Sequence, residues 1–228
     1  MPHLQFATVI FDLDGTLLDT LDDLTASVNF ALETWELPTR SRQEVRRFVG
    51  SGLERLMELS VPGGTANQCF QECADTFVSH YSQNMWTSTR PYGGIVQVLR
   101  TLKAAGVSIA VVSNKFDWAV KELCQSYFDG HIDIAIGQSG DTPMKPSPVG
   151  VLQALRVTGT TPDRALYVGD SDIDIRTARN AGVESVGVTW GFGGREALER
   201  EGAAHIVDAP SEILPLLGLS KQVVRTRL

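Results

Sequence analysis

The sequence predicts an α/β fold in which a parallel sheet is covered by helices and interrupted by a helical insertion after the first strand. Two observations carry this prediction. Short apolar runs alternate with helical patterns, which is typical of a parallel sheet covered on both faces. One interval of roughly seventy residues breaks the alternation and is too long for a plain loop. The chain of 228 residues, 43% hydrophobic and 21% charged, is large enough for a core domain and a smaller second one.

Each predicted strand is an apolar run rich in residues of high β propensity, the pattern of a strand buried on both faces. In chain order these runs are Phe6–Phe11, Val107–Val112, Ile132–Ile136, Ala165–Val168, Ser185–Val188 and His205–Val207. Helical stripes between them are Ile95, Leu99 and Leu102 before Gly106, and Val151, Leu152 and Leu155 after Pro148.

The interval from Thr16 to Arg90 contains no convincing buried strand, but it contains two helical stripes. Thr20 can cap the first helix. The stripes are Leu21, Leu24, Val28 and Leu32, and then Phe70, Cys73, Phe77 and Tyr81. The predicted division is a discontinuous core (1–15 and 91–218), a helical domain (16–90) and a C-terminal tail (219–228), whose basic end, 221–228, is expected to fray.

The charge balance narrows the function classes. Twenty Lys and Arg stand against 27 Asp and Glu, and the net charge of −7 disfavours general nucleic-acid binding. Three cysteines are too few for a disulfide framework. The N-terminal segment lacks a signal-peptide pattern, and no apolar stretch near it is long enough to span a membrane. We expect a cytoplasmic protein that binds neither nucleic acid nor membrane.

Acidic residues follow two of the predicted strands. Asp12 and Asp14 come after the first, and Asp170 after the fourth, with Asp174 four residues further on. Because strand carboxyl ends converge in a parallel sheet, Asp12, Asp14 and Asp170 are expected to meet. Two carboxylates about 4 Å apart repel by roughly 4 kcal/mol at an effective dielectric near 20, so three together need a cation. All-oxygen ligands favour Mg²⁺. For Asp174, a favourable interaction with a helix dipole is the alternative role.

Polar residues also follow the second and third strands. Ser113 and Asn114 offer a hydroxyl and an amide suited to phosphoryl oxygens, although a loop start is equally compatible with them. Lys145 follows the third strand, and Pro146 fits the first turn of the next helix, which would fix the direction of the Lys145 side chain. Most lone lysines are solvated surface charges, and the placement of Lys145 at a strand end considerably weakens that interpretation.

Together these motifs resemble the haloacid dehalogenase superfamily of aspartate-nucleophile phosphotransferases. The motifs occur in the order typical of that superfamily: Asp12-Leu13-Asp14-Gly15-Thr16, Ser113-Asn114, Lys145, and Gly169-Asp170 through Asp174. The resemblance implies a Rossmann-like core, with residues 16–90 as an α-helical cap. Within the superfamily, other segments are similar to bacterial phosphoglycolate phosphatases: Phe48–Gly52, Pro91–Gly94, Ala110–Lys115, Lys145–Pro148, Val168–Ser171 and Val186–Gly191.

The resemblance also implies residue roles. Asp12 would be the nucleophile, forming an aspartyl phosphate, and Asp14 the general acid and base. Ser113 and Lys145 would hold the phosphoryl oxygens. Mg²⁺ would be held by Asp12, Asp170 and the backbone carbonyl of Asp14, with Asp174 orienting the metal site or Lys145.

The implied substrate is a small phosphorylated metabolite, 2-phosphoglycolate, and the protein a monomer or homodimer. Gly50, Ser51, Gly52 and Asn114 are the candidate substrate-binding residues besides Ser113 and Lys145, while Arg46, Arg47, Arg55 and Lys115 receive no firm role. Three alternatives stay open: a phosphatase or pyrophosphatase of different specificity, a phosphosugar mutase, and a phospho-accepting signalling module. A dehalogenase is disfavoured by the presence of Asp14. A phosphonate hydrolase with a cap lysine is disfavoured because residues 16–90 contain no Lys.

Overall fold

The structure is a computed structural model that describes residues 5–220. The expected fraying of residues 221–228 lies outside the described residues. The strands in chain order are Thr8–Phe11 (β1), Leu18–Asp19 (β2), Arg90–Pro91 (β3), Ser108–Phe116 (β4), Ile134–Gln138 (β5), Ala165–Gly169 (β6), Glu184–Val188 (β7) and His205–Val207 (β8).

Six strands form the main sheet in the order β5-β4-β1-β6-β7-β8, and every neighbouring pair is parallel. The chain moves from β1 outward to β4 and β5, and then crosses to β6 on the other side of β1. The direction of winding therefore reverses at β1, and ligands of such sheets bind beyond the strand ends at this point. The parallel α/β core predicted from the sequence is confirmed.

The second core strand is longer than its apolar run predicts. β4 continues through Ser113, Asn114 and Lys115 to Phe116, whereas its pairing with β1 ends at Val111. These polar residues are thus not the start of a loop. They lie on an extension of the strand that runs past the end of β1, with a register shift against β5.

The helices lie between the strands, and those of the interval 16–90 are the first four of the chain. They are Leu21–Thr34 (α1), Arg42–Phe48 (α2), Leu53–Ser60 (α3), Phe70–Asn84 (α4), Ile95–Ala104 (α5), Asp117–Phe128 (α6), Val149–Thr158 (α7), Asp172–Ala181 (α8), Arg195–Arg200 (α9) and Ile213–Leu216 (α10), with short 3₁₀ turns at Gly64–Ala66, Pro162–Arg164 and Pro210–Glu212. No helix within residues 5–220 is both long and apolar enough to cross a membrane.

The interval 16–90 leaves the core and returns to it at one place. β2 and β3, two residues each, pair antiparallel at its two ends. The sequence predicts two of its four helices, because α2 and α3 are too short to show a long apolar stripe. We propose 16–90 as the extent of the cap on this basis.

Two local predictions are wrong. Thr20 stands at the N-cap of α1, but its hydroxyl makes no capping hydrogen bond, because its backbone is not in the extended conformation that directs a side chain at the first turn. Leu152 is 42% exposed, because α7 buries the face that carries Val151, Ala154 and Leu155.

The core lies on both faces of the main sheet. Alternate residues of β1 point to opposite faces, so Val9 and Phe11 pack into one cluster and Ile10 into another. The cluster around Phe11 continues into the inserted helices through Leu24 and Phe77. This continuous packing places the insertion over the carboxyl ends of the strands.

Candidate active site

Three buried carboxylates meet beyond the ends of β1 and β6. Asp12 directly follows β1, Asp170 follows β6, and Asp174 lies in the first turn of α8. One carboxylate oxygen of each lies within 4.8 Å of the others. The sequence places Asp14 in this cluster, whereas the structure brings Asp174 into it and directs the Asp14 carboxylate to Lys115.

Lys145 lies between two of these carboxylates. Its Nζ is 2.8 Å from Oδ1 of Asp12 and 2.7 Å from Oδ1 of Asp174. The other contacts of Asp174 fix its carboxylate: Oδ1 also accepts from the Tyr167 hydroxyl, and Oδ2 accepts from the amide and hydroxyl of Ser171 in a capping box. Asp174 therefore holds Lys145 against Asp12.

Hydrogen bonds from the Asn114 side chain to backbone atoms fix the segment that carries Lys145. Its Oδ1 accepts from the Lys145 amide at 2.6 Å, and its Nδ2 donates to the carbonyls of Lys145 and Gly50. The predicted role of Pro146 is wrong, because α7 begins only at Val149. Asn114 performs that positioning instead, and its contact with a substrate stays a prediction.

Backbone and hydroxyl donors hold the Asp170 carboxylate. Its Oδ2 accepts from the amides of Phe192 and Gly193, at 2.6 and 3.2 Å, and Oδ1 accepts from the Thr16 hydroxyl at 3.3 Å. The loop after β7 approaches so closely that a side chain at Gly191 would collide with Asp170 and with the Gly15 carbonyl. Glycine is therefore required at position 191.

The acidic cluster fits a divalent cation. Burial, reinforced by Asp174 and Asp170, raises the pKa of Asp12 to about 7 despite the neighbouring Lys145. Burial and Asp174 likewise raise the pKa of Asp170 to about 7. Oδ1 of Asp12 is buried and accepts no well-aligned hydrogen bond, its contact with Lys145 being off the hydrogen-bonding direction. A buried carboxylate oxygen among hard oxygen donors matches Mg²⁺.

We expect the stability of the metal-free protein to fall as the pH rises. Because the pKa values of Asp12 and Asp170 are raised from 3.8 to about 7, the folded state binds protons that the unfolded state has lost between these values. The stabilisation that these two carboxyl groups contribute is therefore complete below about pH 4, and it is lost as the pH rises to about 7. A Mg²⁺ ion held by this cluster would bind the ionised carboxylates, so added Mg²⁺ should raise the unfolding temperature more at about pH 8 than at about pH 5.

Thermal unfolding of chelator-treated protein, with and without added Mg²⁺, measures this difference. The Asp170→Asn variant should lose most of the Mg²⁺ effect. An equal effect of Mg²⁺ at both pH values would contradict the assignment.

Asp14 lies beside the cluster and is paired with a buried lysine. The Nζ of Lys115, on the β4 extension, is 3.0 Å from Oδ1 and 2.9 Å from Oδ2 of Asp14. The Lys115 side chain is fully enclosed, whereas that of Asp14 keeps 12% of its surface exposed. Burial alone would lower the pKa of Lys115, but Asp14 raises it above its ordinary value, so the ammonium stays charged.

A cavity of about 390 Å³ opens above these residues, between the strand ends and the insertion. Its floor includes Asp12, Asp14, Ser113, Lys145 and Asp170. Its roof comes from the insertion and includes the loop 50–52, the start of α3, Arg46 and Arg47. Every site residue predicted from the sequence except Asp174 lines this cavity.

Two contacts were not predicted from the sequence. Arg46 donates to the carbonyls of Gly191 and Phe192, which joins α2 of the insertion to the loop that holds Asp170. Lys115 pairs with Asp14. The only sequence signal for Lys115 is its position next to Ser113-Asn114. For Arg46 no local pattern exists, because its partners are backbone atoms far along the chain.

Known proteins are similar to this chain in sequence and in fold. The family model described as haloacid dehalogenase-like hydrolase matches residues 9–188. The chain is 34% identical over 187 residues to the phosphoglycolate phosphatase of Aquifex aeolicus, covering 81% of this chain and 85% of the relative. It is 31% identical over 224 residues to phosphoglycolate phosphatase 1 of Pseudomonas aeruginosa, covering 95% and 81%. The crystal structure of a predicted phosphoglycolate phosphatase from Haemophilus somnus superposes with a TM-score of 0.87 at 30% identity, covering 93% and 98%.

Proposed function

The chain belongs to the haloacid dehalogenase-like hydrolase family, and on this premise we propose that it is a Mg²⁺-dependent phosphatase that hydrolyses 2-phosphoglycolate to glycolate and phosphate. The observation that carries the proposal is the Asp12 carboxylate. It lies on the floor of the cavity, buried, with an oxygen that accepts no well-aligned hydrogen bond and with Lys145 beside it. Such a carboxylate is suited to attack a phosphoryl group that Lys145 holds.

In the first step an Asp12 carboxylate oxygen attacks phosphorus, and the bond between phosphorus and the substrate's alkoxide oxygen breaks. An aspartyl phosphate forms. Asp14, which lines the same cavity, donates the proton that the departing alkoxide needs to leave as an alcohol. Lys145 and the Ser113 hydroxyl stabilise the negative charge on the phosphoryl oxygens.

In the second step water attacks the aspartyl phosphate and regenerates the Asp12 carboxylate, releasing inorganic phosphate. Asp14, now ionised, accepts the proton of that water. The sum of the two steps is hydrolysis of one phosphate ester bond. Turnover, as opposed to a stable phosphorylated state, distinguishes this enzyme from the signalling module.

Asp12 and Asp170, with the backbone carbonyl of Asp14, would hold Mg²⁺. The cation supplies charge neutralisation between the Asp12 carboxylate and the dianionic phosphoryl group. Thr16 and the amides of Phe192 and Gly193 orient Asp170 for this contact. Asp174 acts through Lys145, to which it is hydrogen-bonded.

Features of the cavity roof support a small substrate that carries a second anionic group. The loop of Gly50, Ser51 and Gly52 leads into α3, whose first turn has no side-chain cap. Its amides can therefore donate to a carboxylate, and Arg47 lines the same region. The phosphoglycolate phosphatases of Aquifex aeolicus and Pseudomonas aeruginosa are relatives of at least 30% identity, and the proposed substrate is taken from them.

The decisive assay is phosphate release from a panel of substrates in the presence and absence of Mg²⁺. The panel contains 2-phosphoglycolate, pyrophosphate, a hexose phosphate, a nucleoside monophosphate and an aryl phosphate. We expect kcat/KM for 2-phosphoglycolate to exceed that of the others by at least ~10-fold, which corresponds to about 1.4 kcal/mol of transition-state discrimination. Activity should disappear with a chelator and return with Mg²⁺.

The other outcomes separate the alternatives. Preference for another ester or for pyrophosphate would keep the reaction and reject the substrate. Isomerisation of a phosphosugar without phosphate release would indicate a mutase. A stable phosphorylated protein without turnover would indicate a signalling module. The same preparation also gives the oligomeric state, for which monomer or homodimer stays the prediction.

A further inference from the structure

The buried lysine beside Asp14 takes no part in the two proposed steps. Lys115 lies on the part of β4 that extends past β1, and its ammonium contacts both carboxylate oxygens of Asp14 at 2.9 and 3.0 Å. Its side chain is completely enclosed. A substrate in the cavity therefore cannot touch the ammonium unless the lysine moves.

An aromatic ring from the insertion closes the other side of this ammonium. Nζ of Lys115 lies 4.8 Å from the centre of the Tyr81 ring, and Tyr81 is fully buried on α4. The ring attracts the cation, and this attraction is stronger in a desolvated position. Lys115 is thus fixed between a core carboxylate and a ring of the insertion.

Stability alone does not account for a buried ion pair at this position. Apolar residues of similar volume in place of such a pair are often neutral or stabilising, because desolvation offsets the attraction between the charges. The pair has a geometric effect, however. With both oxygens of Asp14 in contact with one ammonium, the carboxylate has a single orientation, and its exposed edge faces the cavity.

We propose that Lys115 is a positioning residue that holds the Asp14 carboxyl group in the orientation needed for proton transfer to the leaving group. Tyr81 holds the ammonium in place. This inference rests on the proposed function, because it assigns Lys115 an effect through the general acid. Lys115 itself, whose side chain is enclosed, would act without touching the substrate or the phosphoryl group.

The dependence on the leaving group tests this role. Replacing Lys115 by Met keeps the length of the side chain and removes its charge. An alkoxide needs a proton to leave, whereas 4-nitrophenolate departs readily as an anion. The variant should therefore lower kcat/KM for 2-phosphoglycolate by ~100-fold or more, and that for 4-nitrophenyl phosphate by less than ~5-fold. kcat/KM is the proper parameter because it reports the step in which the leaving group departs, before the shared hydrolysis of the aspartyl phosphate.

Three further variants complete the comparison. Asp14→Asn should show the same dependence on the leaving group, and the double variant with Lys115→Met should be no slower than Asp14→Asn alone, because both changes act on one group. Lys121→Met is the matched control, since Lys121 is exposed and forms an ion pair with Asp117 on its own helix. It should leave both substrates unaffected.

Two results would overturn the inference. These are equal losses of kcat/KM with both substrates, or additive losses in the double variant. Circular dichroism checks the fold. If Lys115→Met does not fold, Lys115→Gln provides the same comparison, because its amide can still donate to Asp14. Its loss of kcat/KM should be smaller and should still be greater for 2-phosphoglycolate than for 4-nitrophenyl phosphate. If the unaltered protein hydrolyses neither ester, the proposed function itself fails.

Discussion

Replacing Asp12 by Asn is expected to lower kcat for 2-phosphoglycolate by ~10⁴-fold or more, because an amide oxygen cannot replace the carboxylate as the nucleophile. The substitution changes neither the volume of the side chain nor the hydrogen bond from the Asp12 amide to Val168. The loss therefore measures chemistry and not folding. Steady-state phosphate release at saturating Mg²⁺ gives the number.

The unfolding temperature distinguishes the loss of the nucleophile in Asp12→Asn from damage to the fold. Burial disfavours the ionised form of Asp12, whose pKa is raised to about 7, so removing the charge should not lower the unfolding temperature of the metal-free protein above that pH. Mg²⁺ should no longer stabilise the variant to the same extent. Asp163→Asn, at an exposed position outside the cavity, is the control and should behave like the unaltered protein. Activity of Asp12→Asn within tenfold of the unaltered protein is incompatible with a nucleophilic Asp12.

Replacing Lys145 by Met is expected to have the second-largest effect, on both activity and stability. Its ammonium lies 2.8 Å from Asp12 and 2.7 Å from Asp174, and the side chain is only 4% exposed. Without it, the cluster of three buried carboxylates loses the ammonium that contacts two of them. Breaking a buried pair in this way costs about 3–5 kcal/mol of unfolding free energy.

The size of this cost depends on pH. Carboxylates without their cation become protonated more easily, so the penalty should be smaller at about pH 5 than at about pH 8. Activity should fall by ~10³-fold, the effect of losing one electrostatic contact to the transition state. Chemical denaturation at both pH values and phosphate-release kinetics test these expectations.

Lys103→Met is the matched control for Lys145→Met. Lys103 also forms an ion pair, with Asp133, but its side chain is 34% exposed, and surface pairs contribute about 0–1 kcal/mol. If Lys145→Met were as stable and as active as Lys103→Met, the central place of Lys145 in the site would be refuted.

The sheet and the positions of Asp12 and Asp170 could be predicted because strand burial leaves a direct pattern in the sequence. Continuous apolar runs identify the strands, and the carboxyl ends of parallel strands must lie at one edge of the sheet. That rule alone brings Asp12 and Asp170 together. It also predicts that Lys145, after β5, lies at the same edge.

The partners of individual charged groups could not be predicted in the same way. Whether Asp14 or Asp174 joins Asp12 depends on where α8 begins and on how far β4 extends. An apolar run marks the buried part of β4 but not its polar extension, so the enclosed position of Lys115 leaves no periodic signal. The contacts of Arg46 and Asn114 are to backbone atoms, and the sequence of the partner residues carries no information about them.

In the proposed mechanism Asp12 carries the phosphoryl group during turnover. Acid quenching of the protein with 4-nitrophenyl phosphate and Mg²⁺, followed by peptide mass spectrometry, tests it most directly. Asp14→Asn should accumulate the intermediate, because the attack of water then lacks its base. We expect one phosphoryl group on the peptide that contains Asp12, and none in the Asp12→Asn variant. Phosphoryl transfer to another residue, or continued turnover of Asp12→Asn, would contradict the account.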